Sequence, residues 1–322
     1  MDTPLHRFAA AHDGVISVAY AAALGYDWDS FRAIVRAEGW ARLVRSVYLA
    51  PGAPDDLRAR VRAAQLRQPG LVASHRTAAA LHGGDVLAPG LDFTVDGPGR
   101  HDVVGGRVYE WLLAPDEVTE GRGSRATTPA RTAADLLRAC PPHDAVIAVD
   151  GLLRAGLVSV TDVTRAVGRA GRRRGVRRAR ELLRRVDPAA GSVAETKARL
   201  VLADAGLAPR TQVLVVDRAA RRVRVDLWLE PGVVVEVEGR AFHGSPEQHQ
   251  GDIARFNELA RLPDVTVLRF SWADVFHRPR AVVAAVRGAV AAAERRADAA
   301  ADPWATAPAT RRSVRYGTGT HE

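Results

Sequence analysis

The chain has 322 residues, a formal net charge of +9 and a pI of about 10.7: long enough for two or three domains, and basic enough to point to an anionic partner such as nucleic acid. Lys197 is the only lysine, so the positive charge is almost all arginine, as in an arginine-biased composition, and placement says more than number. The single cysteine, Cys140, excludes an internal disulfide framework and a cysteine-rich zinc module, and the lack of a run of about twenty apolar residues or an apolar leader predicts neither a membrane span nor a signal peptide, hence a cytoplasmic protein.

Residues 1–54 read as three short helices followed by a β-rich pair. Ser17 is placed to cap Val18–Leu24 with Gly25 beyond it, and Asp27 to cap Trp28–Glu38 with Gly39 ending it. A hairpin-like segment, Trp40–Leu49, follows. That is the outline of a winged helix-turn-helix, in which the helix after the turn enters the major groove of DNA. Phe31, Ile34 and Val35 form the apolar stripe of that helix, leaving Ser30, Arg32 and Arg36 outward, while Arg42 and Arg45 on the wing are placed to meet phosphates. Asp27 and Asp29 at the helix start work against this, because acid there repels the phosphate that a helix N-terminus attracts.

Residues 55–164 alternate helical and extended segments. Asp55–Arg67 is a charged helix, Ser74 is placed to cap a short helix ending near Gly83, Leu91–Gly106 holds β-like pieces, and Thr127 or Thr128 before Pro129 starts a helix through Arg131–Ala139. His75 and His82 have no third ligand at metal spacing and read as structural. Between Arg165 and Arg185 ten arginines face one acid, Glu181. Such crowding reads as a basic linker or hinge helix along a phosphate backbone, with Arg173 and Arg177 among its DNA contacts, or as a solvated linker with no contact at all.

Ser192 opens a helix over Val193–Ala205 with Glu195 as its capping-box partner. A strand, Thr211–Val216, leads to two β-rich runs, Arg224–Leu229 and Val233–Val237, joined by Glu230-Pro231-Gly232 as an antiparallel hairpin. Alternation puts Glu236 and Glu238 on one face, and a three-residue loop sets Asp226 opposite Glu236. Three converging carboxylates suit a hard divalent cation, Mg²⁺ or Mn²⁺; they equally suit the solvated face of a half-exposed hairpin. A helix from Ser245 to about Leu262, a strand over Val265–Phe270, a short helix over Trp272–Phe276 and a final helix over Pro279–Arg296 complete the pattern, and the composition of 297–322 predicts disorder.

This order of elements, with Ser192-Val-Ala-Glu195, Arg224-Val-Asp226-Leu, Glu236-Val-Glu238-Gly239, His243, Asp252-Ile-Ala-Arg255 and Val267-Leu-Arg269-Phe, resembles the restriction-endonuclease-like (PD-(D/E)xK) core. In particular it is similar to the small endonuclease domains related to very-short-patch repair (Vsr) nucleases. The resemblance implies hydrolysis of DNA phosphodiesters with Mg²⁺ or Mn²⁺ held by Asp226 and Glu236, Glu195 near the metal-bound water, and His243 moving a proton. Glu238, Asp252 and Arg255 would support them. One position departs from the pattern: the lysine expected two residues past the second acid is Glu238. Charge neutralisation then falls on His243, on a neighbouring arginine such as Arg255, or on a second metal.

The N-terminal half carries Asp13-Gly-Val-Ile-Ser17, Leu43-Val-Arg-Ser-Val-Tyr-Leu-Ala-Pro51-Gly, Ser74-His-Arg-Thr-Ala-Ala-Ala-Leu-His-Gly83 and Thr128-Pro-Ala-Arg-Thr-Ala-Ala-Asp135-Leu. These resemble the AbiEi-type antitoxin family, which implies a DNA-binding winged helix, repression of its own operon and a toxin-system partner protein. The sequence thus reads as an α/β (α+β multidomain) chain. It comprises a winged helix-turn-helix over 1–54, an AbiEi-like α/β middle domain over 55–164, an Arg-rich linker over 165–191, a Vsr-like endonuclease domain with a mixed sheet over 192–296, and a disordered tail over 297–322. Two functions follow: an Mg²⁺-dependent endonuclease, or an antitoxin-like transcriptional regulator whose nuclease fold is inactive. RNA in place of DNA is a third.

Overall fold

Side-chain caps decide where the first helices begin. In the computed structural model, which describes residues 3–95, 103–121, 123–216, 222–238 and 265–301, Thr3 caps α1 (Pro4–Ala11). Ser17 accepts the Tyr20 N–H at 3.2 Å to start α2 (Val18–Ala23), and Asp27 accepts the Ser30 N–H at 2.8 Å to start α3 (Trp28–Glu38). Each such cap stabilises its helix by about 1 kcal/mol. β1 (Val15–Ser17), β2 (Ala41–Val44) and β3 (Val47–Leu49) form an antiparallel sheet in the order β1-β3-β2, with β2 and β3 as the wing. Phe31 is buried among Leu5, Ile16, Ala21 and Trp40, and Ile34 and Val35 pack half-buried against them. The apolar stripe read from the sequence is therefore the core side of α3.

The chain divides into two compact units, Met1–Leu200 and Val201–Glu322. Within the first, α4 (Leu57–Arg67) belongs to two cores at once. Its Ala59 and Ala63 pack with Val15, Val47 and Leu49, and its Val61 and Ala64 with Leu71, Ala73 and Phe93. Arg62, buried between them, donates to the Asp13 carboxylate at 3.3 Å and to the Gly123 carbonyl. The domain boundary expected at residue 55 is thereby corrected, because residues on both sides of it share apolar contacts.

The larger sheet of this unit contains β4 (Val72–Ala73), β5 (Asp92–Val95), β6 (Arg107–Glu110), β7 (Val118–Gly121) and β8 (Ser124–Thr127) in the order β6-β5-β4-β8-β7. It is mixed: β5/β6 and β4/β8 are parallel, the other pairs antiparallel. Helices α5 (His75–Leu81), α6 (Pro129–Ala139), α7 (Pro142–Arg154), α8 (Val160–Arg169) and α9 (Val176–Leu183) enclose a further core around Leu136, Leu137, Ile147 and Leu152. Thr128 caps α6 ahead of Pro129 as read. Ser74 does not cap α5: its hydroxyl accepts from Thr94 Oγ1 at 2.8 Å and lies 2.9 Å from His75 Nδ1.

Residues 165–191 are not a linker. Val176, Ala179 and Leu182 of α9 are buried in the same core as Leu136 and Ile147, so the arginines surround a packed helix, and Arg178 donates to the Arg138 and Cys140 carbonyls. The apolar stripe was hidden by the charge around it. Next, α10 (Val193–Asp204) begins in the first unit. Asp150 ties it to α7, accepting from Thr196 Oγ1 at 3.0 Å, Arg199 Nη2 at 2.9 Å and the Asp187 N–H at 2.9 Å.

In the second unit, β9 (Arg210–Val216), β10 (Arg222–Leu229), β11 (Val233–Val237) and β12 (Thr266–Phe270) form a sheet in the order β12-β11-β10-β9. Consecutive strands β9, β10 and β11 pair antiparallel, and β12 runs parallel to β11, giving the mixed sheet expected. β11 is buried along its whole length, as a central strand must be. Ser271 caps α11 (Trp272–His277) through a capping box with Asp274, and α12 (Pro279–Ala301) packs on β11 and β12. α12 runs past residue 297, where disorder was expected; 302–322 lie outside the described residues. No helix of the described residues is long and apolar enough to cross a membrane.

Candidate active site and nucleic-acid interface

The hairpin register fixes the acids. Leu229 pairs with Val233 across Glu230-Pro231-Gly232, and Leu227 with Val235, so Asp226 faces Glu236. Side chains directly opposite on adjacent strands share a face. Asp226 Oδ2 accepts the Val237 N–H at 3.0 Å, and Glu236 Oε1 accepts the Asp226 N–H at 3.1 Å. Each carboxylate is thus oriented by the backbone of the opposite strand, which fixes where its second oxygen points.

Two further residues complete a row across the sheet. Gln212 of β9 lies opposite Asp226 in the β9/β10 register, and its Nε2 is 3.5 Å from Asp226 Oδ1. Its φ of +52° is a left-handed conformation inside a strand, a strain that concentrates at functional sites. Arg269 of β12 is the parallel partner of Glu236, and its Nη2 lies 3.0 Å from Glu238 Oε1. From strand to strand the row therefore reads Gln212, Asp226, Glu236, Arg269, spanning about 14 Å at the usual strand spacing.

The chemistry of this donor set fits a divalent cation. Asp226, Glu236 and Glu238 supply hard oxygen, the donor type that Mg²⁺ and Mn²⁺ take. Among the described residues, no group of three His, Cys, Asp or Glu side chains is close enough together to hold a metal alone. What the described residues bring together is the pair Asp226 and Glu236, and Mg²⁺ commonly takes one or two carboxylates, with water and phosphate oxygens in its other positions.

The other residues read from the sequence fall in three places. Glu195 belongs to the first unit; it is buried, its carboxylate accepts the Gly191 N–H at 2.9 Å, and its own N–H donates to Ser192 Oγ at 3.1 Å. Glu195 and Ser192 thus form part of the cap that the sequence announced, with Gly191 N–H also held by the Glu195 carboxylate. His243, Asp252 and Arg255 lie outside the described residues. Glu238, in the lysine position, is paired with Arg269. The positions of Gln212 and Arg269 level with Asp226 and Glu236 were not legible in the sequence, because strand pairing sets them.

Arg32 and Arg36 are exposed one turn apart on α3. Ser30 is also exposed but sits about 160° round the axis from Arg32, so the three do not share one face. Asp27 is consumed as the cap of α3, and the Ser30 N–H holds its carboxyl below the ordinary range. Asp29, seven residues before Arg36, shares the face of that arginine. On the wing, Arg42 and Arg45 line a groove of about 650 Å³ with Arg67 of α4. None of these three arginines has an acidic partner among the described residues, whereas Arg60 in the same groove is paired with Asp55 at 2.7 Å.

A second cationic surface lies on α9. Arg172, Arg173, Arg177, Arg180 and Arg184 surround a shallow concavity of about 470 Å³. Arg177 pairs with Glu181 at 3.2 Å; the other four have no acidic partner among the described residues.

An uncharacterized protein of Mycobacterium tuberculosis, present in strain CDC 1551 / Oshkosh and in strain ATCC 25618 / H37Rv, is 31% identical to this chain over 218 residues, covering 67% of this chain and 79% of the relative. The chain belongs to that mycobacterial protein's family. No family model matches the chain.

Proposed function

We propose that this protein binds DNA and hydrolyses its phosphodiester bonds with a divalent cation, Mg²⁺ or Mn²⁺, held by Asp226 and Glu236. The observation that carries the reading is the opposed pair of carboxylates on β10 and β11, each oriented by the backbone of the other strand. A bound cation of this kind supplies Lewis-acid polarisation of a phosphate oxygen and a more acidic water. The chain's part is to hold the two carboxylates at fixed separation. It also brings DNA to them through the wing arginines Arg42 and Arg45, the α3 residues Arg32 and Arg36, and the α9 face with Arg173 and Arg177. His243 is the residue assigned to proton movement, on the resemblance to Vsr-like domains. On this reading the protein works in the cytoplasm, where its DNA substrate is found.

Incubating the purified chain with DNA and Mg²⁺ or Mn²⁺, beside Asp226→Ala, decides it. Cleavage by the first and not by the second is expected; equal activity or equal inactivity ends the enzyme reading.

One observation favours a second reading. Glu238 stands where a lysine is expected and is paired with Arg269, which suits a nuclease fold kept as a scaffold in an AbiEi-like regulator with a toxin-system partner. That reading expects metal-independent, sequence-specific binding upstream of the protein's own gene, lost on Arg36→Ala with Arg42→Ala. Binding to RNA of any sequence with equal affinity would remove both readings.

A further inference from the structure

We propose that Arg269 is the phosphate-facing cation of the Asp226/Glu236 site and that Glu238 is the positioning residue that holds it there. The inference rests on the hydrolytic reading given above. Its observations are independent of that reading: Arg269 is the direct parallel partner of Glu236 on the next strand, and its guanidinium is 3.0 Å from Glu238.

In the expected arrangement the cation stands on the strand of the second acid, two residues further along. Here that position is Glu238, and a guanidinium, that of Arg269, stands one strand over on β12, level with Glu236. The two changes compensate. A glutamate beside the metal acids would add repulsion, whereas a glutamate bonded to an arginine anchors a positive charge next to them. Both side chains are about one-third exposed, Arg269 34% and Glu238 31%, so the pair is reachable by a polymer backbone lying over the sheet.

The chemistry of the residue limits its role. A guanidinium carries five N–H donors in a planar fork and can serve a carboxylate and phosphate oxygens at once. Its contribution is electrostatic: it attracts the phosphate in the ground state and stabilises the extra negative charge that develops as the phosphodiester is attacked.

The test uses the full chain and two readouts, DNA cleavage in Mg²⁺ and Mn²⁺ binding followed by electron paramagnetic resonance. Arg269→Ala is expected to slow cleavage about 10²–10³-fold, the loss that follows removal of one preorganised transition-state donor. It is expected to bind Mn²⁺ as tightly as the wild type or a few-fold more tightly, because a fixed cation beside the carboxylates repels the metal. A merely structural role for Arg269 would weaken both together, and that result overturns the proposal. Arg269→Lys keeps the charge and guards against misfolding of the alanine variant: it should recover at least tenfold of the lost rate, and recovery of none overturns the assignment. Glu238→Gln should slow cleavage less than Arg269→Ala and add nothing to it in the double variant; full additivity overturns the positioning role. If the wild type does not cleave, or Asp226→Ala cleaves equally well, the underlying reading fails and takes this one with it. If wild type cleaves and Arg269→Ala matches it within twofold, this inference fails alone.

Discussion

Asp226 and Glu236 face each other on neighbouring antiparallel strands, and each carboxylate accepts a backbone N–H from the strand of the other, at 3.0 and 3.1 Å. Replacing the acid by its amide keeps an acceptor for the backbone while removing a charged ligand. Asp226→Asn and Glu236→Gln are therefore expected to keep the melting temperature within a few degrees while losing metal-dependent DNA cleavage by about 10³-fold or more. Circular-dichroism melts beside cleavage rates check both halves, and loss of fold in both variants would remove the pair from the site and assign it to the sheet.

The wing offers a test that does not depend on cleavage. Arg42 and Arg45 are exposed and lack acidic partners among the described residues. Changing both to Ala should leave stability unaltered, weaken binding to duplexes of any sequence, and lower the slope of log affinity against log salt by about 1.8, near 0.9 for each lost phosphate contact. Fluorescence anisotropy over a salt series measures it. An unchanged slope means that the wing does not meet phosphate.

Gly175 separates a packed α9 from a solvated linker. It has a φ of +83°, and a Cβ there would stand 2.5 Å from the Arg138 carbonyl oxygen. Gly175→Ala should therefore destabilise the chain by about 1–3 kcal/mol through both the conformation and the clash, whereas the exposed neighbour Arg173→Ala should change stability by less than about 0.5 kcal/mol. Urea titrations of the two variants give the comparison. Equal stability would mean that residues 165–191 are free of the core after all.

Asp150 gives a pH signature. It is buried beneath Thr196, Arg199 and the Asp187 N–H, and burial pushes its carboxyl from 3.8 up to about 6 against the pull of those partners. A folded-state pKa above the unfolded one means that the folded state holds the proton more firmly between pH 4 and 6, so this group's contribution to stability falls as pH rises through that window and is level above it. Wild-type chain should accordingly lose stability relative to Asp150→Asn between about pH 4 and about pH 6, measured by urea midpoints. Asp150→Ala, which leaves Arg199 without its buried carboxylate, should cost about 3–5 kcal/mol at neutral pH.

Local physics was legible along the chain. Ser17, Asp27 and Thr128 cap the helices that their positions announced, because a cap needs only the residues within one turn of it. The Glu230-Pro231-Gly232 loop likewise determined that Asp226 meets Glu236, since the register of a hairpin follows from its turn and the alternation of side chains. What the chain could not announce depends on elements far apart in sequence. The arginines of α9 masked a stripe of Val176, Ala179 and Leu182 whose burial needs α6, α7 and α8 around it. α4 joins the wing to the larger sheet through residues that read simply as a charged helix. The sequence by itself determined the caps, the hairpin and its opposed acids. Only the tertiary structure decided that Arg269 stands beside Glu236 and pairs with Glu238, because a parallel strand joins its neighbour through a long connection whose length and composition do not encode the register.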